Sequence, residues 1–390
     1  MNTSETNDFV IALHGRIDSL TAAAADDYIT ENLKGCSSDQ VTLDMEDVPY
    51  ISSAGLRVIL KFKKKYNSLR IINALPAVYE VFEVTGFTNM LTIQKAFREI
   101  SVDGCEILGQ GGHGTVYRID GDTIIKVYGE KESLEEIQRE INYARNAFVY
   151  GIPTAIAFDV VKCQGHYGAV FELINADTLG NAIRKEPDKF EEYKEQYLKL
   201  IDILHTTEVD ITKFESIKDL YNQWIEDARS VYDENEIDVL HRIVNSVPDR
   251  KTLVHGDIHP KNVMVQNGEL VLIDMADITF GHPIFDFAGM GLTHWIMATR
   301  TPERAISIVG LEAEKVINLW EAVLKHTFGH LPEEEQDNRR KLIEKFIMLK
   351  YALAPAVNKN MPDEMKQNLV KSARMSFFPI AESLVGMIKE

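Results

Sequence analysis

The sequence has few cysteines and no long apolar run. Its three cysteines, Cys36, Cys105 and Cys163, are too few and too scattered for a disulfide framework or a zinc site. No stretch reaches the roughly 18 apolar residues that a membrane-spanning helix needs. The first residues also lack the basic and apolar pattern of a secretory signal. We therefore expect a cytoplasmic protein without structural disulfides.

Basic residues are also in short supply. The chain has 42 Lys and Arg against 60 Asp and Glu, a formal net charge of -18, and most of the excess acidity lies after residue 100. Nucleic acids and anionic membranes bind basic surfaces, so both are disfavoured as main partners. An acidic surface suits either a cationic substrate or simple solvation, and the composition does not choose between them.

The first hundred residues alternate short apolar runs with amphipathic segments. This pattern predicts strands at 9–13, 41–43 and 69–72, and helices at 26–33, 55–66, 76–84 and 93–100. Ser52 and Ser53 precede the second helix and lysines end it, in agreement with capping and dipole preferences. Strands interleaved with helices indicate a compact α/β domain over residues 1–100.

A new pattern begins near residue 104. We predict strands at 106–108, 115–119 and 123–127, a helix at 133–148, and strands near 155–161 and 168–173. After residue 178 the chain is mainly helical to about 247 and again after 285. A hairpin joins 263–265 to 270–273 around Asn267-Gly268, a dipeptide typical of tight hairpin turns. Length and this change of pattern indicate two domains.

A glycine-rich segment precedes a strand in this second part. Gly109, Gly111, Gly112 and Gly114 fit the spacing G-x-G-x-x-G-x-V, in which missing side chains let backbone amides approach phosphate oxygens. A dinucleotide-binding turn would continue into a helix, whereas here a β-branched strand follows. The segment therefore favours a nucleotide-binding hairpin of the kinase type.

Lys126 lies within an apolar strand, where a lysine needs an anion. The phosphates of ATP and a carboxylate on the next helix are the natural candidates. Glu140 is favoured for this carboxylate, and Glu136 is the alternative because it lies one turn earlier on the same helical face.

The most specific motif is His255-Gly-Asp257-Ile-His259-Pro-Lys-Asn262, followed by Ile273-Asp274-Met-Ala-Asp277 and by Gly281-His-Pro-Ile-Phe-Asp286. These segments resemble the aminoglycoside phosphotransferase and choline kinase branch of the protein-kinase-like superfamily. The motifs span residues 104–300, and the remaining helices match by position. The resemblance implies a bilobal α+β domain over 104–390, with an N-lobe of about 104–175 and a largely helical C-lobe of about 176–390.

The resemblance also implies roles for individual residues. Asp257 would be the catalytic base that orients the substrate hydroxyl, while Asn262 and Asp274 would bind Mg²⁺ beside the phosphates of ATP. Glu172 and Ile174 fall in a segment like the hinge that receives adenine through backbone groups, although a buried edge strand has the same pattern.

Several further polar residues of these motifs have structural interpretations. His255 and His259 are expected to brace the loop by hydrogen bonds rather than to act in catalysis. Asp286 is expected to be a structural brace as well. Asp277 either supports the metal ligands from behind or caps a turn.

The N-terminal part contains Leu43-Asp-Met followed by Val48-Pro-Tyr-Ile-Ser52-Ser53-Ala-Gly-Leu-Arg57. With segments 15–18 and 82–87, it resembles the STAS domain of bacterial anti-sigma factor antagonists, an α/β fold with a mixed sheet. In that family a serine at the start of this helix is phosphorylated by a partner kinase, which cancels binding. The matching residue is Ser53, and the implied partner is an anti-sigma factor or a kinase.

Three functional hypotheses follow. The first is an ATP- and Mg²⁺-dependent phosphotransferase that acts on a small-molecule hydroxyl and is regulated by the STAS domain. The second is a kinase that phosphorylates Ser53, in cis or on a separate STAS protein. The third is an anti-sigma factor antagonist scaffold whose kinase-like half binds nucleotide without catalysis. The retained Asp257, Asn262 and Asp274 count against this third hypothesis.

Overall fold

The chain forms two compact units in a computed structural model, Met1–Ile100 and Ser101–Glu390. The structure describes residues 9–34, 40–111, 114–358 and 361–388. Gly112 and Cys36, which entered the sequence-based predictions, lie outside the described residues.

The first unit is a parallel sheet with helices between its strands. Strands β1 (Phe9–His14), β2 (Val41–Asp47), β3 (Arg70–Ala74) and β4 (Thr92–Lys95) pair side by side in chain order. The helices are α1 (Ala22–Asn32), α2 (Ser53–Lys65) and α3 (Pro76–Val84), and a 3₁₀ turn covers Phe87–Asn89. Leu43 and Ile71 of the central strands share one apolar core with Ile59 and Phe62 of α2, and all four are buried.

The predicted helix at 93–100 is wrong. This segment instead contains β4 and a two-residue strand, β5 (Arg98–Glu99). Thr92 and Ile93 align with Arg70 and Ile71 of β3, which satisfies backbone groups that β3 would otherwise leave open. The apolar residues of this segment recur at helical spacing, but their β-branched neighbours and the available sheet edge decide the structure.

The second unit begins with an antiparallel sheet. Its strands are β6 (Glu106–Gly111), β7 (Gly114–Arg118), β8 (Thr123–Tyr128), β9 (Ala157–Cys163) and β10 (His166–Glu172). Spatially, β8 lies between β7 and β10. Helix α4 (Leu134–Val149) starts with a capping box in which Ser133 and Glu136 satisfy each other's backbone N–H groups.

Helices dominate the rest of the second unit. They are α5 (Leu179–Lys185), α6 (Phe190–Thr206), α7 (Ile217–Asp227), α8 (Glu234–Ser246), α9 (Ile284–Met290), α10 (Ala298–Arg300), α11 (Ala305–Val309), α12 (Ala313–Phe328), α13 (Glu333–Val357), α14 (Asp363–Ser376) and α15 (Phe378–Ala381). A π-helical stretch (Gly291–Met297) joins α9 to α10, and short 3₁₀ turns cover Pro187–Lys189, Ala228–Ser230, Pro302–Arg304 and Glu382–Leu384. Among the described residues, no helix combines the length and apolar character that a membrane span requires.

Short strands lie between the helices. They are β11 (Asp177–Thr178), β12 (Leu253–Val254), β13 (Val263–Gln266), β14 (Glu269–Leu272) and β15 (Thr279–Phe280). The turn between β13 and β14 has left-handed φ angles at Asn267 (51°) and Gly268 (84°), as the predicted Asn-Gly hairpin requires. β12 and β15 pair with each other and hold the two ends of the segment that carries the His-Gly-Asp motif and Asp274.

Candidate active site

A cavity of about 360 Å³ lies between the antiparallel sheet and the β13–β14 hairpin. Its lining combines the glycine-rich hairpin, the end of β10 and the segment after β14. The residues used below are Gly109, Lys126, Glu140, Glu172, Ile174, Asn262 and Asp274. The cavity therefore brings together sequence motifs that lie up to 165 residues apart, from Gly109 to Asp274.

Lys126 on β8 pairs with Glu140 on α4. Its Nζ lies 2.9 Å from Glu140 Oε1, and the Tyr128 hydroxyl donates to Glu140 Oε2 at 2.8 Å. Glu136, the alternative carboxylate, is committed to the capping box of α4. Burial lowers the pKa of Lys126, but the charges of Glu140 and Asp274 outweigh it and the pKa is raised. Lys126 is therefore a fixed cation on the cavity wall.

Sequence reasoning missed Tyr128. Its position two residues after Lys126 places both side chains on one face of β8, which is the signal that identifies it. Burial, and then the charge of Glu140, raise the pKa of Tyr128, so its hydroxyl stays a proton donor. The Lys126 ammonium also lies 5.0 Å from the centre of the Tyr128 ring.

The glycine-rich hairpin is formed by β6 and β7, in which Gly111 pairs with Gly114. Gly109 lines the cavity. Gly114 has a φ of 153°, and a Cβ atom there would lie 2.2 Å from the Val127 carbonyl oxygen. Glycine at this position is thus required for the close approach of β7 to β8, independently of any phosphate.

The end of β10 forms another wall of the cavity. The Glu172 backbone N–H donates to the Ile156 carbonyl at 2.8 Å, and its carboxylate accepts from the Ile156 N–H at 3.3 Å. The backbone N–H of Ile174 has no hydrogen-bond partner among the described residues. An unpaired backbone donor on the wall of a cavity is available to a ligand acceptor.

Asp257 lies in the loop after β12. Its Oδ2 accepts from Asn262 Nδ2 at 3.2 Å and lies 3.4 Å from His259 Nε2. Its backbone N–H donates to His255 Nδ1 at 3.3 Å. Partial desolvation raises the pKa of Asp257, but the hydrogen bond from His259 and the nearby positive groups outweigh it and lower the pKa to about 2. The carboxylate is therefore ionised at neutral pH.

Asp286 binds the backbone of this loop through its side chain. Its buried carboxylate accepts the backbone N–H groups of His255 (2.9 Å) and Gly256 (2.8 Å), and His205 Nε2 lies 3.0 Å away. Burial raises the pKa of Asp286, but the hydrogen bond and charge of His205 outweigh it and the pKa is lowered. These contacts agree with the predicted bracing role of Asp286, whereas His205 was not predicted.

Lys350 on α13 is a second contact that the sequence did not indicate. Its Nζ donates to the Gly256 carbonyl at 3.1 Å, so the long C-terminal helix also holds the loop. Desolvation, followed by the charges of Asp257 and Asp274, raises the pKa of Asp277, and Lys350 partly opposes this shift. The Asp277 side chain makes no hydrogen bond to any described residue, so the structure favours neither of its two interpretations.

Asn262 and Asp274 supply oxygen atoms to the same cavity. Asn262 uses its side-chain nitrogen to donate to Asp257, both to its backbone oxygen (3.0 Å) and to Oδ2, which leaves the amide oxygen as its acceptor. Asp274 adopts a left-handed φ of 62°, which is uncommon for residues other than glycine, and its Oδ1 lies 3.5 Å from Lys126 Nζ.

These two residues fit a magnesium ion that also binds phosphate. Hard oxygen donors are the ligands that Mg²⁺ prefers, and it usually takes only one or two protein carboxylates together with substrate phosphates. Within the described ranges, no group of three His, Cys, Asp or Glu side chains is arranged to hold a metal by itself. A cation at Asn262 and Asp274 therefore requires phosphate or water oxygens as well.

Ser53 is the first residue of α2 in the other unit. The hydroxyl of Ser52 caps this helix by accepting the Ala54 N–H at 3.2 Å. Ser53 is exposed, and its hydroxyl makes no hydrogen bond to any described residue. Capping is therefore the function of Ser52, and the Ser53 hydroxyl is free.

Comparison with protein families gives two matches along the chain. The model of the phosphotransferase enzyme family matches residues 104–326. The STAS domain model matches residues 1–100. No curated protein sequence matches significantly.

One similar solved structure is an ADP-bound aminoglycoside phosphotransferase, APH(2'')-Ib. Its sequence is 15% identical to this chain and its TM-score is 0.48. The match covers 78% of this chain and 98% of that chain. A choline/ethanolamine kinase family protein from Mesorhizobium loti has 15% identity, a TM-score of 0.45 and coverage of 73% and 92%. A Thermotoga maritima protein described as an anti-sigma factor antagonist has 18% identity, a TM-score of 0.21 and coverage of 22% and 79%.

Proposed function

Because the chain belongs to the phosphotransferase enzyme family, joined to an N-terminal STAS domain, we propose that it transfers the γ-phosphoryl group of ATP, with Mg²⁺, to a hydroxyl group of a small molecule. The observation that carries this proposal is the convergence of Lys126, Asn262 and Asp274 on one cavity, with Asp257 hydrogen-bonded to Asn262. Phosphoryl transfer depends mainly on positioned reactants and on neutralised charge, and this arrangement supplies both.

Lys126 is proposed to bind the phosphates of ATP. Glu140 fixes the position of its ammonium group, and Tyr128 fixes Glu140 in turn. Adenine is proposed to accept a hydrogen bond from the Ile174 N–H, with Glu172 shaping the wall. The glycines of the β6–β7 hairpin leave room for the phosphates above Lys126.

Asp257 is proposed to orient the acceptor hydroxyl. With a pKa of about 2 it is a weak base, so it accepts a hydrogen bond early and takes the proton only as the oxygen becomes bonded to phosphorus. Asn262 keeps this carboxylate in place through its side-chain nitrogen. Asn262 and Asp274 would hold Mg²⁺, which when bound neutralises phosphate charge.

Replacement of Asp257 tests this function. Transfer from ATP to a panel of small hydroxyl compounds should fall by about 10²- to 10⁴-fold in Asp257→Asn, while ATP affinity is retained. Asp188→Asn is the matched control, because this aspartate is exposed and its side chain makes no hydrogen bond or ion pair with any described residue. An Asp257→Asn variant that kept full transfer activity would contradict the proposed role of this residue.

The STAS domain is proposed to regulate the enzyme or to dock it on a partner such as an anti-sigma factor. Phosphorylation of Ser53 would add almost two negative charges at the N-terminus of α2, where free backbone N–H groups stabilise a phosphate. A binding surface would then change its charge while the fold is retained.

A second candidate is a kinase whose acceptor is Ser53, in cis or on another chain. It is favoured by the exposed and unbonded Ser53 hydroxyl and by the fusion, since a tethered acceptor reaches an effective concentration of about millimolar. Intact mass after incubation with ATP and Mg²⁺ tests it. A phosphate-sized gain in the parent, absent from Asp257→Ala and Ser53→Ala but present in Ser52→Ala, supports this candidate.

The other outcomes of that measurement separate the remaining hypotheses. No mass gain, with ATP bound and with transfer to a small hydroxyl compound, supports the first proposal. Bound ATP without transfer to any acceptor supports the scaffold hypothesis, in which the chain titrates an anti-sigma factor.

A further inference from the structure

A second cavity, of about 570 Å³, lies along helix α4 and shares no lining residue with the active-site cavity. One wall is a face of α4 that includes Glu135, Arg139, Asn142 and Arg145. The other wall is Thr212 and Lys213, in the segment between α6 and α7. We refer to this cavity as the α4 groove.

The α4 groove and the active site use different faces of the same helix. Residues 135, 138, 139, 142, 145 and 146 recur at three- and four-residue spacing and form the groove side. Glu140 and Ala144 belong to the active-site side and are buried. A ligand in the groove would therefore contact the helix that positions Glu140 against Lys126.

The walls of the groove are joined by specific contacts. The Tyr143 hydroxyl accepts the Glu215 N–H at 3.1 Å, and Asn146 Nδ2 donates to the Lys213 carbonyl at 3.2 Å. The Tyr143 and Phe214 rings pack with their centres 5.5 Å apart. The groove is therefore held open by fixed groups, and a ligand need not create it.

The lining of the groove is cationic although the chain as a whole is acidic. The lining contains three cationic side chains, those of Arg139, Arg145 and Lys213. It contains one carboxylate, that of Glu135. Arg139 Nη1 also forms an ion pair with Glu215 Oε2 at 3.5 Å, and both side chains are exposed to solvent in part. Arg145 donates to the carbonyls of Ala157 and Phe158, which leaves its charge without a carboxylate partner among the described residues.

We propose that the α4 groove binds a small polyanion that carries phosphate groups. Its volume is within the roughly 300–1,000 Å³ of small-molecule sites, and its cations come from two separate elements. Guanidinium and ammonium groups are the side chains that bind phosphate best. Side-chain amides of Gln138 and Asn142 add donors for the remaining oxygens.

Such a ligand would act as a regulator. By bridging Arg139 or Arg145 on α4 to Lys213, it would fix α4 relative to the segment after α6 and so stabilise the Glu140–Lys126 pair. This consequence for activity rests on the proposed function, whereas binding itself does not.

Inorganic pyrophosphate is the probe, added without nucleotide or divalent cation to the full chain. Calorimetric titration gives its affinity, and hydrogen exchange reports protection of residues 134–149. Five proteins are compared: the parent, the double variant Arg139→Gln/Lys213→Gln, the single variant Lys213→Gln, the active-site variant Lys126→Met, and the surface control Lys199→Gln/Lys341→Gln. The control changes the same net charge at two exposed lysines.

The groove double variant should bind pyrophosphate about 100-fold more weakly, since each cation contributes about tenfold. The parent and the surface control should bind within about twofold of each other and show protected α4 amides. Lys126→Met should lose much less affinity than the groove double variant, because it changes the groove only through the Glu140–Lys126 pair. Arg139 and Lys213 are exposed, so their replacement should leave the fold intact. The single variant Lys213→Gln checks this, because it should bind pyrophosphate only about tenfold more weakly.

Three results would each overturn the inference. They are a groove double variant that binds pyrophosphate as tightly as the parent, a loss of binding in Lys126→Met alone, and a parent that does not bind pyrophosphate. A parent that binds ADP with Mg²⁺ but not pyrophosphate contradicts the α4 groove alone. Absence of phosphoryl transfer, with pyrophosphate still bound at α4, contradicts the proposed function alone.

Discussion

At the scale of single residues, a buried carboxylate helps to hold the loop that carries Asp257. Asp286 accepts two backbone N–H groups of the loop and a hydrogen bond from His205. In Asp286→Asn, an NH₂ group replaces one of the two acceptor oxygens. This NH₂ group would face one of the N–H groups that the carboxylate now accepts, so that hydrogen bond would be lost. We expect a loss of about 3 kcal/mol in the free energy of unfolding, measured by urea denaturation. Asp188→Asn, at an exposed site without a side-chain contact to any described residue, should change it by less than about 0.5 kcal/mol.

The same residue predicts a dependence of stability on pH. The pKa of Asp286 is lower in the folded chain than in the unfolded chain, where an aspartate titrates near about 3.9. Its contribution to stability is therefore present above that value and is lost as pH falls through the lower folded pKa. The stability difference between the parent and Asp286→Asn should shrink below about pH 4. A difference that stays constant down to the lowest pH at which the parent is folded would contradict this assignment.

Some single-residue contacts could be predicted from sequence and others could not. The Lys126–Glu140 pair follows from a lysine in an apolar strand and a carboxylate on the next helix. Tyr128 contacts a residue 12 positions away, but His205 and Lys350 meet their partners across 81 and 94 positions. No periodic pattern links such distant positions, and only the packing of α6 and α13 brings them to the loop.

At the scale of elements, the β6–β7 hairpin depends on one glycine. A Cβ atom at residue 114 would lie 2.2 Å from the Val127 carbonyl, and the φ of 153° is unfavourable for any other residue. We expect Gly114→Ala to separate β7 from β8, to cost about 2 kcal/mol in stability, and to weaken ATP binding at least tenfold. Equilibrium unfolding and ATP titration measure both effects.

Gly121 provides the control for this prediction. A Cβ atom there would meet nothing within 4 Å, so Gly121→Ala should leave ATP affinity and stability nearly unchanged. If Gly114→Ala bound ATP as tightly as Gly121→Ala does, the close approach of β7 and β8 would not be needed for the nucleotide site.

Elements with strong local signals were predictable. Helix α3 begins at Pro76 and ends at Val84 as predicted, and the Asn267-Gly268 turn joins β13 to β14. The helix predicted at 93–100 is wrong because the spacing of its apolar residues is typical of a helix, whereas pairing with β3 makes β4 a strand. Local periodicity does not contain the information that a sheet edge is available.

At the scale of the whole molecule, each unit contains its own buried apolar residues. We therefore expect two transitions in calorimetric unfolding rather than one. ADP with Mg²⁺ should raise the midpoint of only one transition, that of the Ser101–Glu390 unit, because its proposed ligands Lys126, Asn262 and Asp274 all lie there. At 100 times the dissociation constant the stabilisation is about 2.7 kcal/mol, or several degrees.

Two variants give this experiment its controls. Lys126→Met should remove most of the nucleotide-dependent shift, because the proposed phosphate-binding cation is lost, while the midpoint of the other transition stays the same. Ser53→Asp, which adds one charge at an exposed position of the other unit, should leave the nucleotide-dependent shift unchanged. A single transition that moves as a whole with ADP would mean that the two cores unfold together. Nucleotide binding would then be coupled energetically to the STAS domain, as direct regulation of one unit by the other requires.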